Sequence, residues 1–161
     1  MNRTDIEIDR HYMDVAITES IEGVERGEGG PFGAVIVKSE TGEIVARSHN
    51  MVLQTNDPTA HAEVTCIRRA CAKLGTFDLS DCSIYSSCQP CPMCFGAIHW
   101  AKLPICKYSS TKEIAAAAGF SDASIYQAIR GETPVDKQDC QFIHIPDPKS
   151  DEVFTRKFGL Y

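Results

Sequence analysis

The sequence predicts an α/β sandwich, a sheet with helices packed against it. Short apolar runs alternate along the chain with longer stretches whose apolar residues recur every three or four positions. Phe32-Gly33-Ala34-Val35-Ile36-Val37 is continuously apolar, as a strand covered on both faces should be. Ala60, Val64, Ile67, Cys71 and Leu74 lie at helical spacing before the next strand-like run, so strand and helix follow one another.

Taken in order, residues 5–26 predict a first helix with Met13, Ile17, Ile21 and Val24 along one face. Gly27-Glu28-Gly29-Gly30-Pro31 breaks it. The apolar strand then turns at Glu40-Thr41-Gly42-Glu43 and returns through Ile44-Val45-Ala46-Arg47 as a hairpin. Asp57-Pro58-Thr59 reads as a helix start, with a capping side chain and an early proline, and Gly75 as its stop. His61 and Glu63 are thereby expected in the first turn. Ser83-Ile84-Tyr85-Ser86 predicts a third strand, and a second motif helix runs to about Trp100. Pro104 to Tyr108 predicts a fourth strand. The alanines at 115–118 and Ile125 to Ile129 predict short helical pieces around Gly119, and residues 140–145 alternate like a further strand. The tail from Ser150 is expected to be helical until Gly159. No repeat, biased tract or linker interrupts the 161 residues, which read as one domain spanning 1–161, large enough to bury a core.

With 43% hydrophobic and 24% charged residues, the composition is that of a soluble globular protein. No apolar run is long enough to span a bilayer, and the polar, acidic start Met1 to Glu7 lacks a signal-peptide core, so a cytoplasmic protein without membrane partners is expected. A formal net charge of −6, with basic clusters as short as Arg68-Arg69, argues against a nucleic-acid partner. The eight cysteines are expected as reduced thiols, with Cys66, Cys71, Cys106 and Cys140 in the core.

Two stretches carry chemistry: His61-Ala62-Glu63 and Pro90-Cys91-Pro92-Met93-Cys94. Imidazole and thiolate are common zinc ligands, and a catalytic zinc site has three protein ligands and an open position for water. His61, Cys91 and Cys94 meet that count with one zinc per chain, and Glu63 would sit beside the water and move its protons. Prolines at 90 and 92 are tolerable only near a helix start, where Cys91 and Cys94 share a face and the positive helix end favours thiolates. Alone, His61 would more often cap a helix or fill a core. Cys88 leaves a second arrangement open, a closed zinc site of three cysteines and His61; Glu63 would then have no task. An iron–sulfur cluster would want a further cysteine about four residues on, where Ile98 stands.

This H-x-E…P-C-x-x-C pattern resembles the zinc-dependent deaminases of the cytidine/deoxycytidylate deaminase superfamily. Gly30 to Val35, Asn56 to Val64, Cys94 to Ile98, Ala118 to Asp122 and the terminal Tyr161 resemble its guanine deaminase branch. The resemblance implies a three-layer α/β/α cytidine-deaminase-like fold with a five-stranded mixed sheet. It also implies hydrolytic deamination of guanine to xanthine and ammonia, a small-molecule purine substrate, and a homodimer whose C-terminal segment is exchanged between subunits. Asp122 and Tyr161 would act in trans, Phe32 and Trp100 would face the base, Asn50 would hydrogen-bond it, and the amides of Ala62 and Cys91 would lie near the attacked carbon. By default Phe32 and Trp100 are ordinary aromatics and Asn50 a turn residue. His11, His49, His99 and His144 read as surface or core residues.

Guanosine deaminases remain an alternative, since Cys94 to His99 and Arg130-Gly131 resemble them too. A tRNA-editing deaminase and a non-enzymatic zinc module are further readings. Two positions depart from the family pattern: Gln89 stands where relatives have Glu, and Ser121 replaces the first acid of Phe-Asp-Asp.

Overall fold

The computed structural model describes residues 3–155. Helix α1 (Arg3–Glu25) precedes the predicted hairpin of β1 (Gly33–Lys38) and β2 (Ile44–His49). A one-turn helix, α2 (Val52–Thr55), leads to α3 (Ala62–Leu74), β3 (Cys82–Cys88), α4 (Pro92–Trp100) and β4 (Ile105–Ser110). Shorter pieces come after it: α5 (Lys112–Ala117), α6 (Ala123–Ile129), a 3₁₀ turn (Val135–Lys137) and α7 (Pro148–Thr155).

The sheet runs β2-β1-β3-β4, antiparallel at its first two junctions and parallel between β3 and β4. Side-chain alternation along β1 sorts the layers. Ala34 and Ile36, with Ile84 of β3, pack against Ala62, Cys66 and Ala70 of α3 and Ile98 of α4. Val35 and Val37, with Tyr85, pack on the other face against Ala16 of α1. The layers are therefore helix, sheet, helix, as an α/β sandwich requires. β3 lies inside the sheet and every residue of it is buried, its three serines included.

Three expectations need correction. The sheet has four strands among the described residues, not five. Residues 141–147 form no strand there, and Phe142 and Ile145 are each 83% exposed. Alternating side chains are a local property, whereas a strand needs a neighbour's backbone to pair with. Secondly, α3 starts later than the sequence predicts. Asp57 accepts the Thr59 amide at 2.8 Å in a local turn of its own, and His61 is the N-cap rather than a first-turn residue. Thirdly, Cys140 is exposed and not in a core.

The chain divides into two units, Met1–Ala123 and Ser124–Tyr161. The first holds the whole sheet; the described part of the second holds most of α6, the 3₁₀ turn and α7. All eight cysteines are free. No described helix is long and apolar enough to cross a membrane.

Candidate active site

Two helix starts supply the metal donors. His61 caps α3 with φ −65° and ψ 159°, and neither it nor Cys91, which caps α4, uses its side chain to satisfy the helix amides. Both side chains are left free to face each other. His61 Nδ1 lies 3.5 Å from Cys91 Sγ and 3.6 Å from Cys94 Sγ, and all three donor atoms fall within 4.8 Å of one another. Zn–S bonds of about 2.3 Å and Zn–N bonds of about 2.0–2.1 Å at tetrahedral angles place sulfur and nitrogen about 3.6 Å apart. The donors thus fit zinc in both chemistry and spacing. Cys88 is not among them; its thiol points to the Thr111 carbonyl at 3.8 Å. A three-donor site leaves a coordination position for water.

The electrostatics agree. A hydrogen bond from Cys94 holds the Cys91 thiol well below its usual range against the cost of burial, and His61 helps. Cys94 is driven the other way, first by that bond to Cys91 and then by burial. Two adjacent thiols resist ionising together, and a divalent cation removes that conflict. His61 is raised, chiefly by its contact with Cys91.

Glu63 is the second residue of α3 and only 5% exposed. Burial pushes its carboxyl up, partly offset by hydrogen bonds that include those from Ser86 and Cys94. Ser86 donates to Glu63 Oε1 at 2.9 Å, a bond that reading the sequence misses. Its only signal is a hydroxyl on the β3 face that Cys82 and Ile84 turn toward α3.

The remaining residues divide. Asn50 comes directly after β2, is 6% exposed, donates its backbone amide to the Phe32 carbonyl at 2.9 Å, and accepts the Val52 amide on Oδ1 at 3.1 Å. Phe32 meets Phe120 edge to face at 5.2 Å. Ala62, fully buried, is the first residue of α3, where a backbone amide has no partner within the helix. Asp122 is half-buried, and its charge, after burial and together with Glu63, raises the Cys88 thiol. Gln89 Oε1 accepts the Lys112 amide at 3.4 Å at the start of α5. Ser121 Oγ accepts the Ala123 amide at 3.4 Å. Trp100 is not brought in: it is 83% exposed at the far end of α4, about 13 Å of helix rise from Cys91. Tyr161 lies outside the described residues. A cavity of about 320 Å³ includes Phe32, Cys88 and Phe120 but none of the three metal donors or Glu63.

Comparison with known proteins points the same way. Residues 6–110 match the family model of the cytidine and deoxycytidylate deaminase zinc-binding region. A guanine deaminase of Bacillus subtilis is 48% identical over 134 residues, 83% of each chain. The crystal structure of a guanine deaminase from that organism superposes with a TM-score of 0.84 at 44% identity, covering 96% of this chain and 92% of that one. A tRNA-specific adenosine deaminase of Aquifex aeolicus is 43% identical over 88 residues, 55% of this chain and 56% of that protein. The chain belongs to the cytidine and deoxycytidylate deaminase family of zinc-binding enzymes.

Proposed function

We propose that this protein is a guanine deaminase, converting guanine and water to xanthine and ammonia with one zinc per chain held by His61, Cys91 and Cys94. The observation that carries the reading is the three-donor cluster with the buried Glu63 carboxylate two residues from His61, in a chain similar to a guanine deaminase over 134 residues. Zinc in such a site supplies Lewis acidity and brings the pKa of a water toward neutrality.

The chain's own groups do the rest. Glu63 accepts one proton from the attacking water and passes it to a ring nitrogen. It then takes the second proton from the same oxygen and passes it to the amine at C2, so that the C2–N bond breaks and ammonia leaves. Burial suits this shuttle, because it brings the neutral carboxylic acid closer in energy to the carboxylate. Asn50 Oδ1 already accepts the Val52 amide, so its Nδ2 hydrogens are the groups offered to acceptor atoms of the base. Phe32 supplies an apolar wall, and the Ala62 and Cys91 amides lie at helix starts, where a developing negative charge is favoured. Asp122 binds the substrate and handles protons beside Glu63. The active form is a cytoplasmic homodimer in which the C-terminal segment, ending at Tyr161, covers the partner's pocket; exposed Phe142, Ile143 and Ile145 support an intersubunit role for that segment.

Ammonia release from guanine, guanosine, adenine, cytosine and cytidine by the zinc-loaded protein tests the reading. Turnover is expected on guanine with little dependence on salt, since no phosphate backbone is neutralised. Preference for guanosine, or a requirement for folded RNA, would overturn it.

A further inference from the structure

Behind Asn50 lies a buried network that the mechanism above does not use. His49, the last residue of β2, is 4% exposed and sits between two carboxylates. Its Nδ1 lies 3.2 Å from Glu19 Oε2 of α1, and its Nε2 is hydrogen-bonded to Glu28 Oε2 in the loop before β1. Both ring nitrogens are thus engaged, one by α1 and the other by the loop before β1. Arg47 adds a contact to Glu19 at 3.2 Å. The fit on α1 is close: a Cβ at Gly23, in the last turn of the helix, would fall 2.6 Å from the His49 ring.

Glu28 carries the network to Asn50. Its carbonyl accepts the amides of Leu53 and Gln54 at 3.1 and 3.0 Å, and its carboxylate accepts Gln54 Nε2 at 2.9 Å. It therefore fixes the first turn of α2, whose Val52 amide occupies Asn50 Oδ1. The next residue, Gly29, lies so close to Asn50 that a Cβ there would meet both its carbonyl oxygen and Oδ1 at 2.2 Å. One residue thus places both neighbours of the Asn50 carboxamide, and His49 holds that residue in place.

We propose that Glu28 and His49 are positioning residues that set the orientation of the Asn50 carboxamide and thereby the recognition of the base. For its kinetic consequence the inference rests on guanine being the substrate. Glu28→Gln keeps the backbone contacts and replaces the carboxyl, whereas His49→Leu removes both ring contacts. In zinc-loaded protein each variant is expected to raise KM for guanine about tenfold while kcat stays within about a factor of three, the pattern of lost binding rather than lost chemistry. In an Asn50→Ala background neither substitution should raise KM further, because the group they position is gone. A merely structural role would add its effect in both backgrounds. A second readout needs no substrate: the Asn50 side-chain amide signals in a ¹H–¹⁵N spectrum, assigned by their loss in Asn50→Ala, should shift in Glu28→Gln while zinc content is kept. Inactivity of the wild-type protein on guanine would overturn the functional reading alone, and the spectrum would still decide this one. Unmoved Asn50 signals, an unchanged KM in a guanine-active protein, or equal losses in both backgrounds would overturn the positioning role.

Discussion

His61 caps α3 with φ −65° and ψ 159°, and Cys91 caps α4 with φ −67° and ψ 169°. The two starts are nearly the same piece of backbone, and in both the cap side chain is withheld from the helix, a position where a hydrogen-bonding cap typically contributes about 1 kcal/mol. They differ in their first turns. Beyond Cys91 come Pro92 at the first helical position and then Cys94, so the α4 start offers two sulfurs. Beyond His61 come buried Ala62 and Glu63, so the α3 start offers one nitrogen and a buried carboxyl held by Ser86. One backbone motif therefore serves two purposes, and the residues in the first turn decide which.

The largest expected effect breaks the shared part of that comparison. Cys91→Ala, Cys94→Ala or His61→Ala should each take zinc from one per chain to almost none, with loss of turnover, as metal analysis and an ammonia assay would record. Cys88→Ala should keep the metal, since its sulfur lies outside the donor cluster. Equal metal loss from Cys88→Ala would return the closed four-ligand site to consideration.

Next comes the part peculiar to α3. Glu63→Gln should keep zinc and lower kcat by a factor on the order of 10² to 10⁴, the range for a general acid–base group. Turnover near that of the wild type would remove Glu63 from proton transfer.

A smaller effect separates Glu63 from its support. Ser86→Ala should lower kcat by about tenfold with KM little changed, as expected for one misplaced hydrogen bond to a charged group. Ser86→Thr, which keeps a hydroxyl, should restore most of it. A rise in KM without a fall in kcat would place Ser86 in binding instead.

The least effect on activity is expected across the sheet, where Asp9 of α1 accepts Tyr85 at 2.7 Å and Lys107 at 2.5 Å. Burial pushes the Asp9 carboxyl up, but these hydrogen bonds outweigh it and its pKa is lowered. A lowered folded pKa gives stability that is present above the unfolded value of about 3.9 and lost as pH falls through the folded one. Asp9→Asn should therefore lower Tm by about 2–4 °C at pH 7, leave zinc and kcat alone, and lose less stability than the wild type on acidification from pH 5 to pH 3. A large fall in kcat would show that the two faces are coupled.

The donors are legible in the sequence because ligand chemistry belongs to residue type and a helix start is a local event: His61, Cys91, Cys94 and Glu63 need only their neighbours to be placed within each motif. The hairpin and the two motif helices are legible for the same reason, since periodicity reports which side of an element is apolar. The start of α3 falls a few residues later than its sequence suggests because Asp57 caps a turn of its own. What the tertiary structure decided is whatever depends on pairing between distant residues. Ser86 reaches Glu63 only because β3 lies beneath α3, and His49 meets Glu19 and Glu28 only because β2 runs beside α1. Resemblance alone puts Trp100 at a pocket; in this chain it stands exposed at the far end of α4. Residues 140–145 show the limit most plainly. Their alternation is written in the sequence, but a strand exists only where another backbone offers hydrogen bonds, and that is a property of the assembled sheet.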